Sequence, residues 1–262
     1  MTVNYRELCE RVCTIARRTG SFIAGERKIF DDSKIETKGL HDLVSYVDKE
    51  SEKSIVEALK LVLPGAGFIA EEGTTDIRGE RFNWVIDPLD GTSNFIQGLP
   101  IYAVSIGLLD NDELVLGVVY EVGRDECFYA WKGGGAYLNG ESIHVSKRND
   151  IHDALLATGF PYSDFSRMDE YMAFLKWAMA SSRGIRRLGS AATDLAYVAC
   201  GRFDAFWEYS LKPWDVAAGA LIVKEAGGIV TDYEGGENYL LGQEIVATNG
   251  LLGNVILQKL TP

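Results

Sequence analysis

Apolar and small residues recur every three or four positions through Leu8, Val12, Ile15, Ala16, Thr19, Phe22 and Ile23. That is the spacing of one helix face, so an amphipathic helix is predicted there. Residues 28–42 are polar, contain Gly39 and read as a loop. A second helix is predicted from about Asp48 to Leu61, with Pro64-Gly65 beyond its end. Two short apolar runs follow, Gly67-Phe68-Ile69-Ala70 and Asn83-Trp84-Val85-Ile86. Each reads as a buried strand that runs into acids, Glu71-Glu72 after the first and Asp87 after the second.

From Tyr102 to Val145 the pattern turns to β. Ala103 to Leu109, Leu114 to Val122 and Glu126 to Trp131 are rich in β-branched and aromatic residues. Asn111-Asp112, Gly133-Gly134-Gly135 and Asn139-Gly140 punctuate them as turns. The second half alternates: strand Ala154–Thr158, helix Met168–Ala180, strand Gly184–Arg187, helix Ala191–Ala199, strand Phe203–Trp207, then helix Val216–Ala226, closed by Gly227-Gly228 as a C-cap. Strands near Ile229 and Ile245 and a helix from about Leu251 complete it. There is no internal repeat, low-complexity tract or flexible linker. Helices, then a meander, then α/β alternation imply stacked layers in a single domain of two lobes, about 1–145 and about 146–262.

Of the 262 residues, 47% are hydrophobic and 24% charged, enough to bury a sizeable core. The net charge of −12 repels nucleic acid and anionic membrane, so neither is expected as a partner. It also repels a phosphorylated substrate, unless clustered carboxylates hold cations that reverse the local sign. The N-terminal stretch is charged from Arg6 onward and lacks an apolar core, so a signal peptide is not expected. No apolar run approaches the ~18 residues a membrane span needs, and a cytoplasmic protein is expected. Cys9, Cys13, Cys127 and Cys200 fit reduced thiols. Cys9 and Cys13 sit four apart on a helix, but His41, His144 and His152 offer no partner at zinc spacing, so the pair reads as small helix residues.

The informative stretch is Trp84-Val85-Ile86-Asp87-Pro88-Leu89-Asp90-Gly91-Thr92-Ser93-Asn94-Phe95. An apolar strand delivers Asp87, and Pro88 stops ladder pairing. Gly91 permits a sharp turn or close approach to a ligand. Thr92 and Ser93 suit the start of a short helix, whose first N–H groups attract anions. Two carboxylates thus sit beside a phosphate cradle, and hard oxygen ligands of this kind suit Mg²⁺. Glu71-Glu72 and Asp215, the latter after Lys212-Pro213-Trp214, place further acids at element junctions. Singly these are a solvated turn and a helix cap; together they point to a metal-assisted phosphate site. No P-loop pattern is present, the spacing of Asp87 and Asp90 is wrong for an EF-hand or an aspartyl nucleophile, and neither a Gly-x-Ser-x-Gly elbow nor a Cys-x₅-Arg loop occurs.

These motifs resemble the inositol monophosphatases, within the lithium-sensitive, Mg²⁺-dependent phosphatases that include fructose-1,6-bisphosphatases and nucleotide 3′-phosphatases. The likeness runs through Asp42-Leu43-Val44-Ser45-Tyr46-Val47-Asp48, Phe68-Ile69-Ala70-Glu71-Glu72, the Asp87–Phe95 stretch, Thr158-Gly159-Phe160-Pro161-Tyr162, Trp214-Asp215-Val216-Ala217-Ala218-Gly219 and Glu225-Ala226-Gly227-Gly228. Asn94-Phe95 looks like the inositol branch. The resemblance implies a five-layer α-β-α-β-α sandwich, a homodimer, lithium sensitivity and two to three Mg²⁺ per subunit. It implies that Glu71, Asp87 and the Leu89 carbonyl hold a first metal and that Asp87, Asp90 and Asp215 hold a second, with Glu71 reaching a third through water. It further implies that Thr92, paired with Asp48, and Glu71 orient the attacking water. Gly91, Thr92 and Ser93 would take the phosphate. Asp90, Ala191, Glu208 and Asp215 would face the hydroxyls of the substrate. Ala70, Ser45 and Lys212 depart from common family residues, and the last leaves substrate preference open.

The expected reaction is hydrolysis of inositol-1-phosphate without a covalent intermediate. The same chemistry on fructose-1,6-bisphosphate, NADP(H), histidinol phosphate or a lipid-linked inositol phosphate is the first alternative, because rim residues set specificity. A non-catalytic partner in an RNA-processing or transcription complex is the second. Arg186-Arg187 could bind an anion but are expected to form surface or dimer-interface ion pairs; Trp207 and Trp214 could stack on a ligand but are expected to pack behind the site; and Lys38 is a candidate to reach phosphate from a mobile loop.

Overall fold

The computed structural model describes residues 3–31, 35–39, 42–75, 77–162 and 164–260. His41 lies outside them, as does the side chain of Lys38. Helix α1 (Tyr5–Arg27) begins where the Asn4 side chain accepts the Glu7 N–H, and it buries Leu8, Val12, Ile15, Ala16 and Ile23 on one stripe. The polar stretch after it is not all loop: β1 (Ile35–Gly39) and β2 (Asp42–Ser45) pair as an antiparallel hairpin. Helix α2 (Tyr46–Val62) starts two residues before the predicted Asp48, because Ser45 and Asp48 form a reciprocal capping box.

β3 (Gly67–Ala70) runs parallel to β4 (Phe82–Asp90). The short helix α3 (Thr92–Gln97) follows. β5 (Ala103–Asp110), β6 (Glu113–Glu121), β7 (Glu126–Trp131), β8 (Ala136–Leu138) and β9 (Glu141–Ile143) continue the sheet as an antiparallel meander in the order β3-β4-β5-β6-β7-β8-β9. Asn111 and Asp112, both at positive φ, make the tight turn between β5 and β6 that their sequence predicts.

The rest of the chain builds a second, five-stranded sheet. Its elements are β10 (Leu155–Thr158), α4 (Met168–Ser181), β11 (Gly184–Arg186), α5 (Ala191–Ala199), β12 (Ala205–Tyr209), α6 (Pro213–Glu225), β13 (Ile229–Thr231), β14 (Glu244–Thr248) and α7 (Gly253–Leu260). Strand order is β11-β10-β12-β14-β13, with β10 parallel to both of its neighbours and β14 antiparallel to β12 and β13. β12 begins two residues later than predicted and α6 three residues earlier, at Pro213, a residue whose fixed φ suits a first helical turn.

α1 and α2 cover the outer face of the first sheet; α5 and α6 lie between the sheets; α4 and α7 cover the outer face of the second. This is the expected α-β-α-β-α layering. All nine residues of α5 are buried, as are Val216 to Val223 of α6, as befits helices with no solvent face. The buried helices therefore deliver their N-termini, rather than their faces, to any ligand. No helix among the described residues is long and apolar enough to cross a membrane.

Candidate active site

Between the two sheets a cavity of about 310 Å³ opens, lined by Glu71, Asp87, Leu89, Asp90, Gly91, Thr92, Ser93, Ala191, Glu208 and Asp215 among others. Side chains up to 144 positions apart in the chain (71 to 215) share this wall. Asp48 does not line it and stands directly behind Thr92.

β4 brings the first carboxylates. Buried Trp84, Val85 and Ile86 anchor it, and its pairing with β5 skips from Asp87↔Ser105 to Asp90↔Ala103. Pro88 and Leu89 are thereby freed from the ladder, as a residue with no N–H requires. The Leu89 N–H donates to Asp87 Oδ1 at 2.9 Å and sets the turn. Gly91 then adopts φ 91°, and a Cβ there would press to 3.1 Å on the carbonyl oxygens of Gly189 and Ile101. With no side chain on Gly91 to cap α3, the first N–H groups of the helix are presented to the cavity.

Thr92 Oγ1 lies 2.9 Å from Asp48 Oδ1 and 3.0 Å from the Leu89 carbonyl oxygen, so its hydrogen is committed to one of these two acceptors. Asp48 Oδ2 accepts the Ser45 N–H at 2.9 Å and the Ser45 hydroxyl at 2.7 Å. Burial raises the Asp48 pKa against the pull of these hydrogen bonds. A hydroxyl whose hydrogen is committed offers only lone pairs to a ligand, so Thr92 can accept from a water but not donate to it.

Asp90 and Asp215 connect the two sheets. Asp90 Oδ2 accepts from Ser190 Oγ at 2.6 Å and from the Ala192 N–H at 2.8 Å, at the start of α5. Asp215 occupies the third position of α6, where its Oδ2 accepts the Lys212 N–H at 2.7 Å. Burial pushes Asp90 up to about 6, opposed by Ser190, the α5 N–H groups and the charge of Arg187. Burial and then the charge of Asp90 push Asp215 up to about 7. Asp87 is driven well above the usual carboxylate range by burial first, then by Glu71, Asp90 and Asp215 together. Glu208, on β12, is raised by burial and by Asp215.

Acids that oppose one another's ionisation at one cavity could be relieved by bound cations. Among the described residues the lining contains no histidine or cysteine, so the acidic donors there are hard oxygens. Among the described residues no three acidic, histidine or cysteine side chains are gathered into a ready-made cage.

The cavity also holds residues that the sequence reading placed elsewhere or gave no role in it. Arg187, expected in a surface or interface ion pair, lines the cavity, and among the described residues it makes no ion pair. Gly159, Tyr162, Gly189, Ser190, Ser210, Leu211, Lys212 and Trp214 also line it. Trp207, grouped with Trp214 as packing, lies instead in the outer core, edge-on to Phe174 at 4.9 Å.

The layered fold and this oxygen-lined cavity at the helix N-termini define a phosphatase architecture. The inositol monophosphatase family matches residues 4–261, and the chain belongs to that family. The putative Nus factor SuhB of Neisseria meningitidis serogroup B is 46% identical over 235 residues, 89% of this chain and 90% of that protein. The inositol-1-monophosphatase of Mesorhizobium japonicum is 38% identical over 244 residues, 93% of this chain and 92% of that protein. The crystal structure of the extragenic suppressor protein SuhB from Bartonella henselae superposes with a TM-score of 0.90 at 40% identity, covering 96% of this chain and 97% of that one.

Proposed function

We propose that this protein is a Mg²⁺-dependent phosphatase that hydrolyses inositol-1-phosphate to inositol and phosphate, as one catalytic unit whose two lobes meet at the cavity. The observation that carries the reading is the convergence of Glu71, Asp87, Asp90 and Asp215 on the cavity that also holds Thr92, backed by Asp48.

Glu71, Asp87, Asp90, Asp215 and the Leu89 carbonyl would hold two to three ions. Bound there, Mg²⁺ supplies a water of lowered pKa and neutralises phosphoryl charge. Thr92 accepts a hydrogen of the attacking water and aims its lone pair at phosphorus, while Glu71 restrains its other hydrogen. The N–H groups of Gly91, Thr92 and Ser93 receive phosphoryl oxygens at the start of α3. Asp90, Glu208, Asp215 and the backbone at Ala191 take the hydroxyls; a carboxylate accepts two such bonds. No side chain forms a covalent bond to phosphorus.

Phosphate release from inositol-1-phosphate, measured with Mg²⁺ and with EDTA, tests this. Release only with Mg²⁺ supports it, and no release from any ester overturns it. Fructose-1,6-bisphosphate, NADP(H), histidinol phosphate and a lipid-linked inositol phosphate complete the panel that ranks substrates. The name Nus factor carried by the Neisseria relative favours a second reading, a role in an RNA-processing or transcription complex. A folded protein inactive on the whole panel would favour that reading alone.

A further inference from the structure

We propose that Arg187 forms a second anion subsite at the rim of the cavity, so that phosphate monoesters bearing another negatively charged group are accepted beside inositol-1-phosphate and gain affinity from that group. The inference rests on the phosphatase reading above and deepens it.

Among the described residues five carboxylates face this cavity, and its lining offers two cations, Arg187 and Lys212. Lys212 precedes α6 and directs its backbone N–H to Asp215. Arg187 is built differently. Its guanidinium lies over the ring of Phe160, 5.4 Å from the centroid, and over that of Tyr162 at 5.7 Å. Its Nη2 donates to the Tyr162 hydroxyl at 2.7 Å. Two ring faces and a hydrogen bond fix the plane of a side chain that otherwise samples many rotamers, and so reduce the entropy lost when it binds.

The guanidinium is held but not neutralised. Among the described residues no carboxylate lies within ion-pair distance of it, although Asp90 and Glu208 both feel its charge. A planar fork with free donors matches a phosphate or carboxylate, which it grips through two parallel hydrogen bonds. Its position is also suitable. The guanidinium packs on Gly189, whose carbonyl abuts Gly91 at the start of α3. The cation therefore stands one residue's thickness from the proposed phosphate cradle, the reach of a second anionic group on the same small molecule. Phe160 and Tyr162 are themselves 45% and 39% exposed, so a ligand can approach this face from solvent.

2,5-Anhydromannitol 1,6-bisphosphate and 2,5-anhydromannitol 1-phosphate, both locked in the same five-membered ring, form a matched pair that differs only in the distal phosphate. With Mg²⁺ present, kcat/KM for the bisphosphate is expected to exceed that for the monophosphate about tenfold, mainly through KM, as a charge-assisted contact provides. Arg187→Gln should lower kcat/KM for the bisphosphate about tenfold more than for the monophosphate, and Arg187→Lys should recover part of the difference. Tyr162→Phe, which frees the guanidinium without removing its charge, should shift the ratio in the same direction by about twofold to fivefold, and it serves if Arg187→Gln does not fold. A wild-type ratio near one, turnover of inositol-1-phosphate but of neither anhydromannitol ester, or equal losses on both esters in the variants overturns the subsite while leaving the phosphatase reading intact. No release from any monoester removes the phosphatase reading and the subsite with it.

Discussion

The Thr92 hydroxyl donates to Asp48 across 44 residues of sequence, at 2.9 Å, from the edge of the cavity to a carboxylate that is 1% exposed. Asp48 has a second function in the fold: its other oxygen caps α2 through Ser45. One buried acid thus fixes both a helix start and the polarity of a cavity hydroxyl.

A ranked pair of variants follows from that arrangement. Thr92→Ala removes the lone pairs that orient water and should lower kcat roughly 10²-fold, within the usual range for a positioned proton-transfer group. Asp48→Asn is milder. Both Ser45 donors sit on Oδ2, so the amide oxygen must take that place and the NH₂ must face Thr92. The Thr92 hydrogen then turns to the Leu89 carbonyl, and one lone pair is lost to the amide. About a tenfold loss is expected, less than in Thr92→Ala. Steady-state kinetics over a Mg²⁺ titration checks both. Thr92→Ala with wild-type kcat, or a loss cured by more Mg²⁺, would refute the assignment.

Asp87→Asn should trade function for stability. Asp87 is buried and opposed by Glu71, Asp90 and Asp215, so it either holds a proton that a cation must displace or carries charge against three others. The amide avoids both and keeps the oxygen that accepts the Leu89 N–H. In EDTA the variant should melt higher than wild type, by about 2–4 °C per kcal/mol relieved for a chain of this length. Its Mg²⁺-induced rise in Tm and its phosphatase activity should both disappear. Differential scanning fluorimetry with EDTA and with Mg²⁺ separates the outcomes; a lower melting point in EDTA with a preserved Mg²⁺ shift would contradict the placement.

Far from the cavity rim, Glu121 should give the fold a pH dependence of its own. It closes β6 fully buried, accepting the N–H groups of Gly123 at 3.0 Å and Arg124 at 2.9 Å. Burial nevertheless raises its pKa to about 7 from 4.5. Between those two values the folded chain holds a proton that the unfolded chain has released. Stability from this group is therefore complete below about pH 4.5, falls as pH rises toward 7 and is flat above, a span on the order of 3 kcal/mol. Glu121→Gln should remove that slope. Urea midpoints measured across the window test the sign, and an unchanged slope in the variant would assign it elsewhere.

How much of this was legible beforehand depends on whether local chemistry or tertiary placement decides a position. Asp87, Asp90 and Gly91 announce themselves, since an apolar strand ending in acids, Pro and Gly has few other uses. The β1–β2 hairpin was read as loop because its sequence, with Glu36, Thr37 and Lys38, carries no alternating apolar face. Arg187 was expected in a surface or dimer-interface ion pair; it is exposed, as a surface residue is, but it also lines the cavity. What brings it to the cavity is the turn from β11 through Gly189 to α5, which ends with the α5 N-terminus bound to Asp90. That relation spans 102 residues and leaves no local periodicity to detect. Ser190, which binds Asp90, was hidden for the same reason.

Gly159 shows the same limit and yields the last prediction. In the sequence it is one glycine in Thr158-Gly159-Phe160-Pro161-Tyr162. In the fold it follows β10, where the Tyr171 hydroxyl donates to its carbonyl at 2.7 Å and Thr158 Oγ1 donates to the Trp207 carbonyl at 2.8 Å. This bonding holds the backbone against the Glu208 carboxylate so closely that a Cβ at 159 would overlap it. The loop is pinned, so in Gly159→Ala the carboxylate must be the group that moves. If Glu208 receives substrate hydroxyls, KM for inositol-1-phosphate should rise about tenfold, the worth of a charged hydrogen bond. The KM for 4-nitrophenyl phosphate, which has no hydroxyls to lose, should change several-fold less. The double variant Gly159→Ala/Glu208→Ala should be no worse than Glu208→Ala alone, since both remove the same contact. Additive losses in the double variant, or equal losses on the two esters, would mean that Gly159 supports the cavity as a whole and does not act through Glu208.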